Sequence, residues 1–349
     1  MSKIHIVNWL LTRKCNLSCD YCAIVKNYKG KPKEYPDMRH YLKNEMSTEY
    51  VKNILSLIKL HNPDAFHILY GGEPLLRKDL PEIINFCNNN KIHYTIISNN
   101  TTQVQPLIKR LFEKTDYIQG FTSSVDPVFN SPDFIGSDQV TKSIEGFEQL
   151  VKIKNKGRIK DVVAEITVMK HNVHNLFNLV KTLNDEGINS DVTFIDIAKS
   201  PYYDFSNVYD PNQLVTKEEA KDQIDMLLES NFDIHMKELL LPKIYESLPS
   251  NMDCKIEKDL HNITIDADGS VRLCLRIRGV TTPQNIMAHE LFAKDNIKQV
   301  SPFAHMCIAE DKRKYCKLCN HTCHLMSQII SSEESQIKDL VHKNKREEK

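Results

Sequence analysis

Between Ile4 and Ile197 the sequence alternates β-rich runs with helical ones, six strands in all, at about thirty-residue spacing. This rhythm leaves few folds open. Strands that return through helices build a parallel sheet with right-handed crossovers. The strand-like runs are Ile4–Thr12, Ala65–Tyr70, His93–Ser98, Tyr117–Val125, Val162–Met169 and Val192–Ile197. Helical spacing is read over Thr48–Leu60, Leu80–Asn88, Val104–Phe112, Gln139–Lys154 and Leu176–Asn184. Most strands run into a polar or glycine-bearing break, such as Gly71-Gly72, Asn99-Asn100 and Asp126-Pro127. The C-terminal ends of strands are where α/β folds and barrels place their chemistry.

Past about residue 200 the rhythm stops. Thr216–Ser230 reads as a helix with Thr216 as N-cap and Glu218-Glu219 in its first turn. Met236–Leu248 reads as another helix, and Ile263–Leu273 as a hairpin turning at Asp268-Gly269. The expected organisation is a core over 1–200, a linking helical segment over 201–250, a small cysteine-rich domain over 251–330 and a charged tail over 331–349. The 46 basic and 46 acidic residues cancel, so the basic excess of a protein built to grip nucleic acid is missing. No stretch reaches the ~20 apolar residues of a membrane span, and Met1–Asn8 is too short and polar for a secretory signal. The expectation is a cytoplasmic chain with no membrane partner.

In a reducing compartment, ten cysteines read as metal ligands or packing residues rather than disulfides. They are grouped. Cys15, Cys19 and Cys22 follow the first strand, while Cys254, Cys274, Cys307, Cys316, Cys319 and Cys323 lie in the last hundred residues. Cys87 stands alone in a helical run and reads as a small packing residue. Gaps of two and three residues between thiols are metal-ligand spacings. Three thiolates leave one iron of a [4Fe–4S] cluster open to an outside chelator, whereas ordinary clusters and structural zinc sites take four protein ligands. On spacing alone, a zinc site completed by one of the 14 histidines competes at the first group. A zinc knuckle using His321 and His324 competes at the second.

The motif Cys15-x3-Cys19-x-Tyr21-Cys22 after a first strand resembles the radical S-adenosylmethionine (radical SAM) superfamily, and Gly71-Gly72-Glu73-Pro74 at the end of the second strand matches that family's GGEP signature. The resemblance implies a partial (β/α)6 TIM-like barrel whose three cysteines hold a [4Fe–4S] cluster, with S-adenosylmethionine on the open iron. It also implies that Glu73, with the Gly71-Gly72 backbone, meets the cofactor's amino group, a charge-assisted contact. Asn99, Ser124 and Asn172, at the ends of the third, fourth and fifth strands, correspond to polar positions that face the cofactor, and Tyr21 to a ring that stacks on its adenine. The ribbon with Gly269-x4-Cys274, followed by Cys316-x2-Cys319-x3-Cys323, resembles the SPASM and Twitch auxiliary-cluster domains. Six cysteines in place of seven imply one auxiliary [4Fe–4S] cluster on Cys254, Cys274, Cys316 and Cys319, with Cys307 and Cys323 as spare or substitute ligands; two clusters sharing the six stay open.

By this resemblance the chain is an enzyme that cleaves S-adenosylmethionine reductively to a 5′-deoxyadenosyl radical, which abstracts hydrogen from a peptide or a small molecule. A peptide maturase leads, with dehydrogenation of a small alcohol next. The auxiliary cluster would aid oxidation, and the electron would come from a flavodoxin- or ferredoxin-like donor. Only about a dozen residues precede Cys15, so recognition of a leader peptide would need a separate binding protein. Asp196, ending the sixth strand, and Arg276 or Arg278, after the ribbon, are candidate substrate-side groups. The competing classes are a zinc-binding interaction module without catalysis and an RNA-modifying radical enzyme; the neutral charge weighs against the latter.

Overall fold

The computed structural model describes residues 4, 6–17, 45–101, 103–125, 138–194, 214–248, 262–272 and 287–291. The expected alternation is present: β1 (Ile6–Thr12), α1 (Thr48–His61), β2 (Phe66–Gly71), α2 (Leu80–Asn89), β3 (His93–Ser98), α3 (Gln105–Lys114), β4 (Ile118–Ser124), α4 (Asp138–Asn155), β5 (Ile159–Val168), α5 (Leu176–Asp185) and β6 (Asn189–Phe194). Then follow α6 (Lys217–Glu229), α7 (Lys237–Ser247), β7 (Asn262–Ile265), β8 (Val271–Arg272) and the short α8 (Ala288–Leu291). The strands form one sheet in the order β6-β5-β4-β3-β2-β1-β7-β8. β1 to β7 are parallel and curl into a half-barrel, a partial TIM-like barrel in an α/β fold.

Burial explains why these segments form these elements. In α1, Val51, Ile54, Leu55 and Ile58 fall on one stripe and are buried against the sheet. Burying each such side chain is worth about 1.5–3 kcal/mol relative to leaving it in water. Ser47 caps the helix by accepting from the Tyr50 N–H. In β5, buried Val162, Ala164, Ile166 and Val168 alternate with half-exposed Val163, Glu165 and Thr167. The buried set joins the helices in one core, and the alternate set faces the hollow of the half-barrel. Within that core, the Trp9 indole N–H donates to His67 Nδ1 at 2.9 Å. Burial pushes the His67 pKa down to about 3, so the ring stays neutral and can accept.

Two features depart from the sequence reading. β6 begins three residues earlier than the apolar run suggests, because Asn189, Ser190 and Asp191 pair in register with Val163, Ala164 and Glu165. The ribbon is a hairpin as expected, but its first strand β7 adds parallel to β1, with Ile6 opposite Asn262 and Trp9 opposite Ile265. Thr216 caps α6 in a reciprocal capping box with Glu219. Among the described residues, no helix is long and apolar enough to cross a membrane.

Candidate functional site

The site starts where β1 runs out. Beyond Thr12 the chain continues through Arg13 and Lys14 to Cys15, and the end of β2 follows it closely. The Gly72 N–H donates to Thr12 O at 2.8 Å and the Glu73 N–H to Lys14 O at 2.7 Å. The approach leaves no room for side chains. A Cβ on Gly71 would lie 2.3 Å from Thr12 O, and one on Gly72 would lie 2.2 Å from Lys14 O. The glycine pair is therefore required by the backbone that delivers the first cysteine, whatever ligand it also meets.

Glu73 turns inward and is buried. One carboxylate oxygen accepts from the Leu75 N–H at 3.0 Å, capping the 3-10 turn Pro74–Leu76. The other accepts from the Asn99 N–H at 2.9 Å and the Ser98 hydroxyl at 3.2 Å. These donors are neutral. Burial pushes the acid up to about 7 while the three hydrogen bonds pull it down. A carboxylate has about four acceptor sites, so one stays open for a further donor.

Asn99 links this carboxylate to the cysteine. Its Nδ2 donates to Asn16 Oδ1 at 2.8 Å and approaches Cys15 Sγ at 3.8 Å. Asn16 Nδ2 in turn donates to Thr101 Oγ1 at 3.0 Å and Gln103 Oε1 at 3.2 Å, while the Thr101 hydroxyl returns to Asn99 Oδ1 at 3.0 Å. The Leu17 N–H adds a second donor to Cys15 Sγ at 3.3 Å. Cys15 is half-exposed and not in a disulfide. A sulfur that receives two N–H groups at an open strand end fits a thiolate ligand of an iron–sulfur cluster. Asn16, Thr101 and Gln103 were not singled out from the sequence. Asn16 alone carried a signal there, its place inside the cysteine motif.

Other expected residues fall around this centre. Ser124 ends β4 opposite Glu165 of β5, which lies opposite Asp191 of β6. With Ser98 opposite Ser123, Asn99 and this row share one height on the sheet. Burial pushes the Asp191 carboxyl up, against the opposing pull of His235. Asn172 lies in the turn after β5, where its Oδ1 accepts from the Met169 N–H at 2.7 Å and its Nδ2 donates to Thr167 O at 3.1 Å. Both ends of that amide serve the turn. Cys87 is buried in α2, and burial pushes its thiol up to about 12, a packing residue rather than a ligand. Cys19, Tyr21, Cys22, Asp196, Cys254, Cys274, Arg276, Arg278, Cys307, Cys316, Cys319 and Cys323 lie outside the described residues.

Among curated proteins, the radical SAM cyclopropyl synthase TigE of Paramaledivibacter caminithermalis is 23% identical over 220 residues, covering 58% of this chain and 44% of that protein. The GTP 3′,8-cyclase of Aquifex aeolicus is 26% identical over 220 residues, covering 61% and 63%. The chain thus spans about half the length of these relatives. Among solved structures, Streptococcus suis SuiB bound to its precursor peptide SuiA superposes with a TM-score of 0.59 at 16% identity, over 93% of this chain and 73% of SuiB. The enzyme anSMEcpe with bound AdoMet superposes with a TM-score of 0.58 at 14% identity, over 98% and 96%. These identities speak to the fold alone. The model of the radical SAM superfamily matches residues 9–197. That span is more than half of the chain and runs from within β1 through both motifs to just past β6, so the chain belongs to the radical SAM superfamily.

Proposed function

We propose that this enzyme modifies a peptide, drawing its first cluster from Cys15, Cys19 and Cys22 and one auxiliary [4Fe–4S] cluster from Cys254, Cys274, Cys316 and Cys319. The observation that carries the first part is the Cys15 sulfur, which is met by two N–H donors and tied through Asn99 to the buried Glu73. Bound there, the cluster and S-adenosylmethionine supply a 5′-deoxyadenosyl radical by one-electron reductive cleavage. The chain's part is orientation. Asn99 and Leu17 hold the Cys15 sulfur. Glu73 keeps one acceptor site for the cofactor's ammonium, beside the Gly71-Gly72 backbone. Ser124 offers a hydroxyl at the same height, and Asn172 holds the turn that bounds the next strand end. Tyr21 is assigned to the adenine, and Asp196 and Arg276 to the substrate side.

The peptide assignment is supported by the shared fold with SuiB, solved with its precursor peptide, and with anSMEcpe, solved with a bound peptide. A separate leader-binding protein and a flavodoxin- or ferredoxin-like donor complete the scheme, in a reducing cytoplasm that keeps the thiols free. The test is anaerobic reconstitution with iron counting. The wild type should hold about eight irons, and a variant lacking Cys316 and Cys319 about four, if each cluster has four. The variant should still cleave S-adenosylmethionine while failing to complete peptide turnover. Twelve irons or so would mean two auxiliary clusters. Zinc at the C-terminal cysteines would reduce that region to a structural knuckle, and turnover of small alcohols but not peptides would move the substrate class.

A further inference from the structure

Arg13 and Asp266 form a buried ion pair between two segments 253 residues apart in sequence. The Arg13 guanidinium Nη2 lies 2.6 Å from both carboxylate oxygens of Asp266, with side-chain exposures of 3% and 1%. Arg13 stands two residues before Cys15. Asp266 follows the last residue of β7, in the ribbon that leads to Cys274. Such a pair loses more hydration than a well-packed apolar pair would, so its presence fixes geometry rather than adding cheap stability.

The rest of the contact runs the same way. The carboxylate of Asp266 also accepts from the Ala267 N–H at 2.7 Å, and Ala267 O accepts from the Met46 N–H at 2.7 Å. At the ribbon's tip Gly269 is packed against the Tyr50 ring of α1, where a Cβ would lie 2.9 Å from the ring edge. The Tyr50 hydroxyl is 2.8 Å from His289 Nδ1 of α8, and the Ala288 N–H donates to Gly269 O. On the other side, the Arg13 N–H and the Thr12 hydroxyl both donate to Glu45. The ribbon is thus fastened to the stretch of backbone that presents Cys15.

We propose that Arg13 and Asp266 are positioning residues that set the ribbon and the Cys15 loop in one frame, so that the two cysteine groups keep a fixed relation. That last clause rests on the ligand assignment proposed above; the mechanical coupling does not.

The test is hydrogen–deuterium exchange on the metal-free full chain for three variants: Arg13→Met, Asp266→Asn, and the two combined. Asp266→Asn keeps a side-chain oxygen for the Ala267 N–H, and the combination leaves no lone buried charge. The single variants should melt below the wild type, and the combination should regain most of the loss. In the combined variant, amides in residues 13–17 and 266–270 should exchange together at least about tenfold faster, while β4 and β5 keep their protection; tenfold corresponds to about 1.4 kcal/mol of local opening. After reconstitution its iron count should be unchanged and its KM for S-adenosylmethionine raised. Faster exchange in the ribbon alone, or wild-type melting in both single variants, would overturn the coupling. Normal coupling without 5′-deoxyadenosine formation would fault the functional reading instead.

Discussion

β1 is held from both sides, and the two sides use different physics. Toward β2 the grip is backbone on backbone: two glycines let Thr12–Lys14 and Gly71–Glu73 close to hydrogen-bonding distance, and the buried Glu73 locks that turn to β3. Toward β7 the grip ends in side chains, a guanidinium and a carboxylate buried together. The first is steric and tolerates no added atom. The second is electrostatic and fails when one partner is lost. Cys15 hangs from the strand between them, so its placement depends on both.

The ways to break this contrast differ in size. Arg13→Met, leaving Asp266 buried without its cation, should cost about 3–5 kcal/mol in urea unfolding. A cost below about 1 kcal/mol would place the pair among exposed ones. Glu73 should make the other flank sensitive to pH. Its folded pKa, about 7, is raised above the ordinary 4.5, so between these values the unfolded chain releases a proton that the folded chain keeps. Stability from this group is full below pH 4.5 and is lost as pH rises through 7, by on the order of 3 kcal/mol at 1.36 kcal/mol per pKa unit. Glu73→Gln should flatten that slope in metal-free protein; an unchanged slope would assign it to another group. Gly72→Ala should cost about 1–3 kcal/mol through overpacking against Lys14 O, and should loosen the Cys15 loop more than the ribbon. At the small end, Lys221→Ala on exposed α6 removes a pair to Asp225 and should change stability by no more than about 0.5 kcal/mol.

The same contrast decides what could be read from the sequence. The βα rhythm was legible because it is local: apolar residues two apart, or three and four apart, announce strands and helices with no knowledge of partners. The glycine clamp was legible for a related reason, since two adjacent glycines before a carboxylate mark a close backbone approach. β6 was read three residues late because Asn189, Ser190 and Asp191 look like a turn, yet pairing with β5 overrides that preference. The ribbon was legible as a hairpin, but its docking on β1 was not. An Arg and an Asp 253 positions apart carry no mark of each other among 46 basic and 46 acidic residues. Asn16 and Thr101 were hidden likewise, as common polar residues whose partners come together only when β1 and β3 close on one another.

The most direct measurement is 5′-deoxyadenosine formation by anaerobically reconstituted protein given S-adenosylmethionine and a one-electron reductant, comparing wild type with Cys15→Ala. The wild type should form 5′-deoxyadenosine and methionine in equal amounts, and the variant should form neither while its α/β core keeps its circular dichroism. Cleavage that survives in Cys15→Ala, or a folded wild type that binds zinc and never cleaves the cofactor, would contradict the assignment of Cys15 to the catalytic cluster.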